Sequence, residues 1–422
     1  MKFKISGGSK LSGEVLVGGA KNAALKIIPA SILANSSCVI KNVPQISDIE
    51  KLLEILSSIG VSSKFENGSV FVDPKNINSQ HPDEKLVKKL RGSIVLVGPL
   101  LAKFGQAVFS EPGGCLIGSR SIDDHLDIFK QMGVKVEYKD EKFYLSGKPK
   151  AGHVVLKKMS VTATENAIMA SVFSDGKTFI HVAAAEPEIK DLADFLNKMG
   201  AKISGAGTNE ITVEGVDELK GVEYEVLPDR IEAGTYIIAG LVTKSEIVVG
   251  PIISCHNDLF FKKLKDAGAN FEIFEKNGKE YLKTLEYEKL IPQNIDPRPY
   301  PGFPTDLQPQ YAVLMTQAEG DTEIFDTMFD GRFRYLEELK LMKANTETLN
   351  PNKAVIHGPM KLKGAEVSSL DIRGGAAVVL AGLIAKGETI INNVEFIDRG
   401  YEKMDEVLKK IGANIQRMGD VS

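Results

Sequence analysis

Cysteine is scarce in this sequence. Only three of the 422 residues are cysteine, and Cys38, Cys115 and Cys255 stand far apart in the chain. An odd count at such spacing fits neither a disulfide framework nor a zinc site, so the sequence predicts no bound metal. Cys255 and His256 are adjacent, but two ligands alone do not make a metal site, and we expect a strand end followed by a helix start there.

Long apolar runs are absent too. The opening segment MKFKISGGSKLSGEV lacks the apolar centre of a signal peptide. No later run approaches the roughly 18 apolar residues that a membrane span needs. The sequence therefore predicts a cytoplasmic protein without a membrane partner.

An excess of one charge is also missing. The chain has 52 Lys and Arg residues against 56 Asp and Glu residues, for a net charge of -4. The net charge creates no positive electrostatic field that would attract nucleic acid, so local groups must bind any anionic ligand. With 43% hydrophobic residues and no low-complexity linker, a chain of this length suits about two or three globular domains.

What the sequence does contain is a repeat. Six segments, of which IEKLLEILSSIG is the first, carry apolar residues at helical spacing, and five of them end in a glycine placed to cap the helix before a short strand. The capping positions are Gly60, Gly133, Gly200, Gly268 and Gly412, with Lys343 in the fifth copy. They recur about every 70 residues, close to one α/β unit and too long for a solenoid. We predict six α/β units, three in each of two domains.

Each copy opens with a second helix that is apolar nearly all round, such as RGSIVLVGPLLAKFG. A helix without a polar face belongs inside a domain. Short runs rich in β-branched residues follow, such as SCVIKNV and SEIVVGPI, and these read as strands. The predicted fold class is α/β, with buried helices inside and sheets outside.

Polar residues gather at or just before the N-termini of these buried helices, where unpaired N–H groups suit phosphate or carboxylate. Capping or ion pairing accounts for some of them, namely Glu165, Asn166, Asp229 and Arg230. Cations there oppose the helix dipole and need an anion, which makes Lys21, Arg91 and Arg373, the last beside Asp371, candidate binding residues. Two helix bundles whose N-termini faced one another would make an anion-binding cleft.

The segment EPGGCLIGSR, residues 111–120, sets Cys115 among glycines. Glycine and proline favour a loop that can move or lie close to a ligand. Arg120 would raise the thiolate fraction of a nearby thiol. We expect Cys38 and Cys255 to lie in buried segments and Cys115 to be the reactive cysteine.

Eight segments together resemble one known family: GGAKNAALK, RGSIVLVGPLL, PGGCLIGSR, PDRIEAGT, FPTDLQPQ, FDGRF, DIRGGAA and IDRGYE. In order, and over essentially the whole chain, they are similar to the UDP-N-acetylglucosamine 1-carboxyvinyltransferases, also called enolpyruvyl transferases. The resemblance implies a two-domain inside-out α/β barrel of six repeated units. Its N-terminal domain would be 21–228, its C-terminal domain 1–20 plus 229–422, and its active site the cleft between them.

The activity implied is transfer of the enolpyruvyl group of phosphoenolpyruvate to the 3'-hydroxyl of UDP-N-acetylglucosamine, with release of phosphate. This is the first committed step of bacterial peptidoglycan synthesis, and so contributes to the cell wall, cell shape and cell division. No cofactor is implied. The family is inactivated by the epoxide antibiotic fosfomycin, which alkylates the loop cysteine that this chain retains as Cys115.

The resemblance also implies roles for single residues. Asp306 would be the base and Cys115 the general acid, which also forms an adduct with phosphoenolpyruvate. The groups implied to hold or position phosphoenolpyruvate are Lys21, Asn22, Arg120, Asp371, Arg373 and Arg399. From the residues alone, Asp306 could also be the N-cap of the helix LQPQYAVL, and both roles can coexist.

A second implied set binds UDP-N-acetylglucosamine: Arg91, Arg120, Ser121, Ile122, Asp123, Asp124, Lys158, Ser160, Val161, Thr162, Asp306 and Met328. A domain-crossing turn also accounts for 160–162, and packing accounts for Met328. Ser121 stands where many family members have proline, which predicts a looser turn. We expect His125 to cap or support the base of the loop.

Three other functions stay open. The sister enzyme 5-enolpyruvylshikimate-3-phosphate synthase shares the chemistry, but the cysteine loop argues against it. RNA 3'-terminal phosphate cyclase has related repeats, but it needs a nucleotidylated histidine and a basic surface. A catalytically impaired regulatory paralogue is the third, against which Cys115, Asp306 and Arg399 all speak. The sequence identifies no regulatory protein partner.

Overall fold

The structure is a computed structural model that describes residues 1–113 and 121–419. These residues form two compact units: an amino-terminal unit of 19–113 with 121–227, and a carboxy-terminal unit of 1–18 with 228–419. Each unit has its own cluster of buried apolar side chains. Among the described residues, no helix combines the length and hydropathy that a membrane span requires.

The helices alternate between buried and outer positions along the chain. The amino-terminal unit contains α1 (Lys21–Ala30), α2 (Ser47–Ser58), α3 (Glu84–Val87), α4 (Val97–Phe104), α5 (Asp123–Gln131), α6 (Val161–Ser171) and α7 (Pro187–Met199). The carboxy-terminal unit contains α8 (Arg230–Val242), α9 (Asp258–Asp266), α10 (Gln308–Met315), α11 (Tyr335–Leu341), α12 (Ile372–Ile384) and α13 (Met404–Lys410). Short 3-10 turns are Ser31–Leu33, Arg91–Leu96, Ser254–Asn257, Thr305–Leu307, Arg332–Arg334 and Val394–Phe396.

Three sheets lie in the amino-terminal unit. Their strands are β3 (Cys38–Lys41), β4 (Ser62–Glu66), β5 (Ser69–Asp73), β6 (Gln106–Ser110), β7 (Lys135–Lys139), β8 (Lys142–Ser146), β9 (Gly152–Val155), β10 (Lys177–His181), β11 (Lys202–Ser204), β12 (Glu210–Glu214) and β13 (Glu223–Glu225). The strand orders are β13-β3-β5-β4, β6-β8-β7 and β11-β12-β10-β9.

Three more sheets lie in the carboxy-terminal unit. Their strands are β1 (Lys2–Ser6), β2 (Gly13–Leu16), β14 (Ile247–Ile252), β15 (Asn270–Lys276), β16 (Lys279–Leu285), β17 (Gly320–Phe325), β18 (Thr346–Asn350), β19 (Lys353–Gly358), β20 (Glu366–Ser368), β21 (Glu388–Asn392) and β22 (Asn414–Met418). The strand orders are β15-β16-β14-β2, β17-β19-β18 and β20-β21-β1-β22. Strand β1 pairs antiparallel with β21 and β22, and Ile5 faces both Thr389 and Ile415. This pairing places the first residues of the chain in the carboxy-terminal unit.

The six predicted capping positions behave alike. All six have a positive φ, from 68° at Lys343 to 113° at Gly200. Only glycine adopts this region without steric cost, and Lys343 makes the same turn at a cost of roughly 1 kcal/mol. The repeat predicted from the sequence is confirmed at each of its outer helices.

The predicted inner helices are buried. In the carboxy-terminal unit α8, α10 and α12 contact one another, and in the amino-terminal unit α4 packs against α6. Every residue of α12 from Arg373 to Leu383 is buried. Two inner helices are not continuous α-helices, however, because α4 and α10 begin with the 3-10 turns Arg91–Leu96 and Thr305–Leu307. Prolines at the first or second position of α10 and inside α4 accompany these irregular starts.

Candidate active site

The clearest charged cluster in the carboxy-terminal unit surrounds Asp306, which lies in the 3-10 turn before α10. Its Oδ1 accepts a hydrogen bond from Arg332 Nη2 at 2.7 Å, and its Oδ2 accepts one from Arg373 Nε at 3.1 Å. Both arginine side chains are almost fully buried, whereas 26% of the Asp306 side chain is exposed. The carboxylate therefore lies at the edge of the core with two cations behind it.

This surrounding decides the protonation state of Asp306. Burial alone would raise the pKa of the carboxyl group, but the positive charges of Arg373 and Arg332 outweigh it and hold the pKa far below its usual range. Asp306 is therefore ionised at any physiological pH. In the described residues, Arg332 Nε and Arg373 Nη1 are buried without a hydrogen-bond acceptor. Such donors normally have a partner, and an anionic ligand would reach these two only after the arginine side chains move.

Asp326 holds the two segments that carry this cluster. Its Oδ2 accepts a hydrogen bond from Thr305 Oγ1 at 2.7 Å, and its Oδ1 accepts one from the Met328 amide at 2.9 Å. Arg332 Nη2 also donates to the Thr305 carbonyl at 2.8 Å. Thr305, the residue before Asp306, is thus bonded both to Asp326 and to Arg332 of the segment FDGRF.

Two charged side chains at the start of α12, Asp371 and Arg373, bind different partners. Asp371 is the N-cap of the helix, and its Oδ1 accepts hydrogen bonds from the amides of Arg373 and Gly374, both at 2.9 Å. Arg373, two residues on, is the cation bound to Asp306. Arg399 lies half-buried in the turn after β21 in the same unit. Asp371 therefore fixes the backbone that presents Arg373.

In the amino-terminal unit, Lys21 begins α1. Its Nζ lies 2.9 Å from Asp48 Oδ2, and both side chains are buried. A cation at a helix N-terminus opposes the dipole, and the Asp48 carboxylate provides the balancing charge here. Asn22 follows Lys21 in α1, and its carbonyl accepts a hydrogen bond from Lys26 Nζ at 3.3 Å.

A second buried ion pair joins α1 to α6. Lys26 Nζ lies 3.1 Å from Glu165 Oε2, and the Glu165 side chain is fully buried. Burial raises the pKa of Glu165 to about 7, although Lys26 opposes the shift. The pair connects two inner helices of the unit. Removing one partner would leave the other as an unpaired buried group and should destabilise the unit.

A hydrogen-bonded network built on Asn166 joins α4, α5 and α6. Its Oδ1 accepts from the Gly98 amide at 2.8 Å, which fixes Nδ2 as the donor to the Ile94 carbonyl and to His125 Nδ1. His125 Nδ1 is therefore an acceptor, and Nε2 carries the proton toward Thr162 Oγ1 at 3.2 Å. Burial lowers the pKa of His125 to about 3, so the ring is neutral.

The predicted nucleotide-binding residues 121–124 lie at the start of α5. Ser121 Oγ accepts a hydrogen bond from the Asp123 amide at 2.9 Å, a contact that a proline ring cannot make. Asp124 Oδ2 lies 3.0 Å from Lys158 Nζ, and Ile122 is buried. The Ser121 side chain therefore closes this turn, and a looser turn than the one proline makes stays a prediction.

The remaining predicted nucleotide-binding residues of this unit lie at two other helix starts. Ser160 is the N-cap of α6, and Val161 and Thr162 are its first two residues. Arg91 begins the turn before α4, and its Nη1 donates to the Pro112 carbonyl at 3.3 Å. A Cβ at Gly113 would lie 2.3 Å from the Lys88 carbonyl oxygen, so only glycine fits there. Cys115 and Arg120 lie outside the described residues.

Comparison with known proteins covers nearly the whole chain. Residues 5–408 match the family described as EPSP synthase (3-phosphoshikimate 1-carboxyvinyltransferase). The chain is 44% identical over 418 residues to UDP-N-acetylglucosamine 1-carboxyvinyltransferase of Halothermothrix orenii, with 99% of each chain covered. It is 42% identical over 422 residues to UDP-N-acetylglucosamine 1-carboxyvinyltransferase 2 of Bacillus subtilis, with 99% of this chain and 96% of the relative covered. The chain belongs to the UDP-N-acetylglucosamine 1-carboxyvinyltransferase family.

Solved structures agree on the fold. The enolpyruvyl transferase NikO from Streptomyces tendae superposes with a TM-score of 0.89 at 24% identity, covering 99% of this chain and 98% of NikO. EPSP synthase from Acinetobacter baumannii superposes with a TM-score of 0.77 at 18% identity, covering 98% and 99%. The predicted enolpyruvyl transferase fold, with its buried helices and outer sheets, is confirmed.

Several capping expectations need correction in this member of the family. Asp229 does cap α8, because its Oδ1 accepts from the amides of Ile231 and Glu232. Glu165 and Asn166 do not cap α6, which begins at Val161 and leaves both residues inside the helix. Asp306 does not cap α10 either, since that helix start has no side-chain cap and both carboxylate oxygens bind arginines.

The structure also tests the predictions for Cys38, Cys255 and His125. Cys38 is buried, and burial raises the pKa of its thiol, but Cys255 is exposed in the 3-10 turn after β14, so that expectation was wrong. The neutral His125 ring supports α5 from within the core and caps no helix. In the described residues no cluster of three or more metal-ligand side chains occurs.

Sequence reasoning missed two members of the Asp306 cluster. Arg332 lies in FDGRF, a segment that carries the family resemblance, but its role becomes visible only when its guanidinium reaches Asp306. Asp326 comes six residues earlier and binds Thr305. An arginine within a family motif is a usable signal for an ion pair or anion site, but it does not identify the partner carboxylate.

Proposed function

We propose that the protein transfers the enolpyruvyl group of phosphoenolpyruvate to the 3'-hydroxyl of UDP-N-acetylglucosamine and releases phosphate, the first committed step of bacterial peptidoglycan synthesis. The observation that carries the proposal is the identity of 42% to 44% with enzymes of that name along 99% of the chain. We place the activity in the cytoplasm and expect neither a nucleic-acid nor a membrane partner.

The chemistry is an addition followed by an elimination. The sugar hydroxyl loses its proton and its oxygen bonds to the central carbon of phosphoenolpyruvate, while the methylene carbon gains a proton and becomes a methyl group. The carbon–oxygen bond to phosphate then breaks, and the methyl group returns a proton as the double bond re-forms. One base and one acid, each acting twice in opposite senses, are sufficient.

Asp306 is the proposed base, and its surroundings define what must change for it to act. A carboxylate held by two guanidinium groups is ionised but weakly basic. Binding of an anionic substrate would compete with Asp306 for the guanidinium group of Arg332, which has one buried N–H group without an acceptor among the described residues. The basicity of Asp306 would then rise when substrate is present. The same cations would stabilise the negative charge on departing phosphate.

The other proposed roles follow the predicted residues. Cys115 is the general acid, and Lys21, Arg120 and Arg399 hold the phosphate and carboxylate of phosphoenolpyruvate, with Asn22 alongside. Asp48 keeps the Lys21 ammonium group in place. The nucleotide sugar is bound by Arg91, Arg120 to Asp124, Lys158, Ser160 to Thr162, Asp306 and Met328. The neutral His125 and Asn166 support this set by fixing Thr162 and the start of α5.

Release of phosphate from phosphoenolpyruvate by the purified protein tests this function. We expect release with UDP-N-acetylglucosamine and none with shikimate 3-phosphate. The reverse preference would make the protein an EPSP synthase. Tight binding of UDP-N-acetylglucosamine without phosphate release would make it a catalytically impaired regulatory paralogue.

Replacement of Arg399 should weaken the use of phosphoenolpyruvate selectively. We expect Arg399→Ala to lower kcat/KM for phosphoenolpyruvate by about 10- to 100-fold, the effect of one charge-assisted hydrogen bond, while the Kd for UDP-N-acetylglucosamine stays within about twofold. Arg334→Ala, which removes an exposed arginine of the same unit, is the control. Equal losses for both substrates, or in both variants, would show that Arg399 does not meet phosphoenolpyruvate.

The activity should not depend on a metal ion. Arginine and lysine neutralise the substrate charges in the proposed site, so treatment with EDTA followed by desalting should leave turnover unchanged. Activity that is lost on chelation and returns with a divalent cation would contradict this prediction. Magnesium-free buffers with added chelator in the phosphate-release assay provide the measurement.

A further inference from the structure

Tyr401 lies directly beneath the turn that carries Arg399. The turn is closed by hydrogen bonds from the amides of Gly400 and Tyr401 to the Ile397 carbonyl, at 2.9 and 3.0 Å. On the other side of Arg399, both oxygens of Asp398 accept hydrogen bonds from Arg417 at 2.7 and 2.8 Å. Hydrogen bonds therefore anchor the chain on both sides of Arg399, at Asp398 and at 400–401. Of these residues, Tyr401 is the one whose side chain enters the core.

The phenol group of Tyr401 reaches all three inner helices of its unit. Its hydroxyl oxygen lies 2.9 Å from Thr235 Oγ1 on α8 and 3.1 Å from Gln310 Nε2 on α10. The face of its ring covers the guanidinium group of Arg373 on α12, with 5.3 Å between Cζ and the ring centroid. At most 4% of each of these four residues is exposed.

The hydrogen-bond directions in this network are compatible with one another. Thr235 Oγ1 donates to the Ile231 carbonyl at 2.9 Å, which leaves it to accept from the Tyr401 hydroxyl. Gln310 Nε2 has two protons, and its two acceptors are Tyr401 and Thr235. Each of these bonds, if broken, leaves a further buried polar group unsatisfied, in addition to Gln310 Oε1, which has no partner in the described residues.

We propose that Tyr401 is a positioning residue that fixes the Arg373 guanidinium, and through it Asp306, relative to the turn of Arg399. Arg373 uses its Nε to bind Asp306 Oδ2 at 3.1 Å while Tyr401 covers its face. Tyr401 thus contacts Arg373, one of the two cations on the proposed base, from within two residues of Arg399. The inference rests on the proposed function, because it assigns these groups to one reaction.

Tyr401→Phe tests the proposal, because it keeps the ring over Arg373 but removes the hydroxyl that fixes the ring. Since displacements of about 1 Å cost up to 100-fold in turnover, we expect kcat/KM for phosphoenolpyruvate to fall by about 10- to 100-fold, with the Kd for UDP-N-acetylglucosamine unchanged within about twofold. The matched control is Tyr311→Phe, which removes a buried hydroxyl bonded to the Gln293 carbonyl at 3.2 Å. It should lose comparable thermal stability and retain catalysis within about twofold of wild type.

A double-mutant cycle separates positioning from general weakening of the core. If Tyr401 acts through Arg373, Arg373→Lys combined with Tyr401→Phe should be no slower than Arg373→Lys alone, whereas Arg373→Lys combined with Tyr311→Phe should show independent effects. Multiplied losses in the Tyr401 cycle, or equal catalytic losses in Tyr401→Phe and Tyr311→Phe, would overturn the inference. Should Tyr401→Phe not fold, Thr235→Val removes the same hydroxyl contact and carries the same expectation. A wild-type protein without transferase activity would instead refute the proposed function.

Discussion

Asp306→Ala should lower turnover by about two to four orders of magnitude, the range for loss of an acid–base group, while UDP-N-acetylglucosamine still binds. The carboxylate is the only group in the described structure that both Arg332 and Arg373 bind through their guanidinium nitrogens. Its helix-cap alternative is already excluded, because neither oxygen bonds to an amide of α10. Loss of activity can therefore not be attributed to a lost cap.

The substitution also removes the counter-charge of two buried arginines, so its effect on folding must be measured separately. Breaking a buried ion pair from one side costs about 3 to 5 kcal/mol, and thermal unfolding will show whether the variant is folded at the assay temperature. Asp306→Asn keeps the shape of the side chain and should be nearly as slow. Asp191→Asn is the control, since it alters a buried carboxylate of the other unit that accepts from Tyr224 OH at 2.6 Å. An active Asp306→Asn would contradict a role in proton transfer.

Treatment with fosfomycin should yield a single covalent adduct at Cys115, formed faster with UDP-N-acetylglucosamine and abolished in Cys115→Ala. The thiolate is the attacking species, and the Arg120 cation near it in sequence should raise its fraction. We expect the nucleotide sugar to promote closure of the 111–120 segment over the substrates, because residues 120–124 are proposed to bind it. Peptide mass spectrometry after brief treatment measures the site and the rate.

Cys255 makes this labelling experiment stringent. It is exposed, so accessibility alone would make it a competitor, whereas Cys38 is buried and burial raises the pKa of its thiol. Iodoacetamide, which does not need a phosphonate-binding site, should label Cys255 as well as Cys115. A fosfomycin adduct mainly on Cys255 would contradict the proposed role of the 111–120 segment. So would a rate of adduct formation that does not change when UDP-N-acetylglucosamine is added.

The repeat was predictable because it depends on local rules. Helix caps followed by short strands are set by a few neighbouring residues, and even Lys343, which lacks the freedom of glycine, adopts the same left-handed turn at φ 68°. Burial of the inner helices followed from their apolar composition on all faces. The return of the first strand to the carboxy-terminal unit was expected from the family resemblance alone, because no local signal in KFKIS identifies β21 and β22 as its partners.

The side-chain partners were less predictable, because each depends on a contact distant in sequence. Asp306 and Asp229 both precede inner helices, yet one binds arginines 26 and 67 residues away and the other caps its own helix. Glu165 and Asn166 were placed at a helix start, but α6 begins four residues before Glu165 and both side chains bond to other helices. Sequence position located the polar residues, and tertiary contacts decided their roles.

The central claim, enolpyruvyl transfer by addition and elimination, is tested most directly by the product formed in deuterated water. With phosphoenolpyruvate and UDP-N-acetylglucosamine, we expect one enolpyruvyl ether at the 3'-oxygen of the sugar for each phosphate released. NMR should show deuterium in its vinyl methylene group, because the transient methyl group gains a solvent-derived proton and loses any one of its three. A product free of deuterium would contradict the addition step, and phosphate release without a sugar ether would contradict the transfer itself.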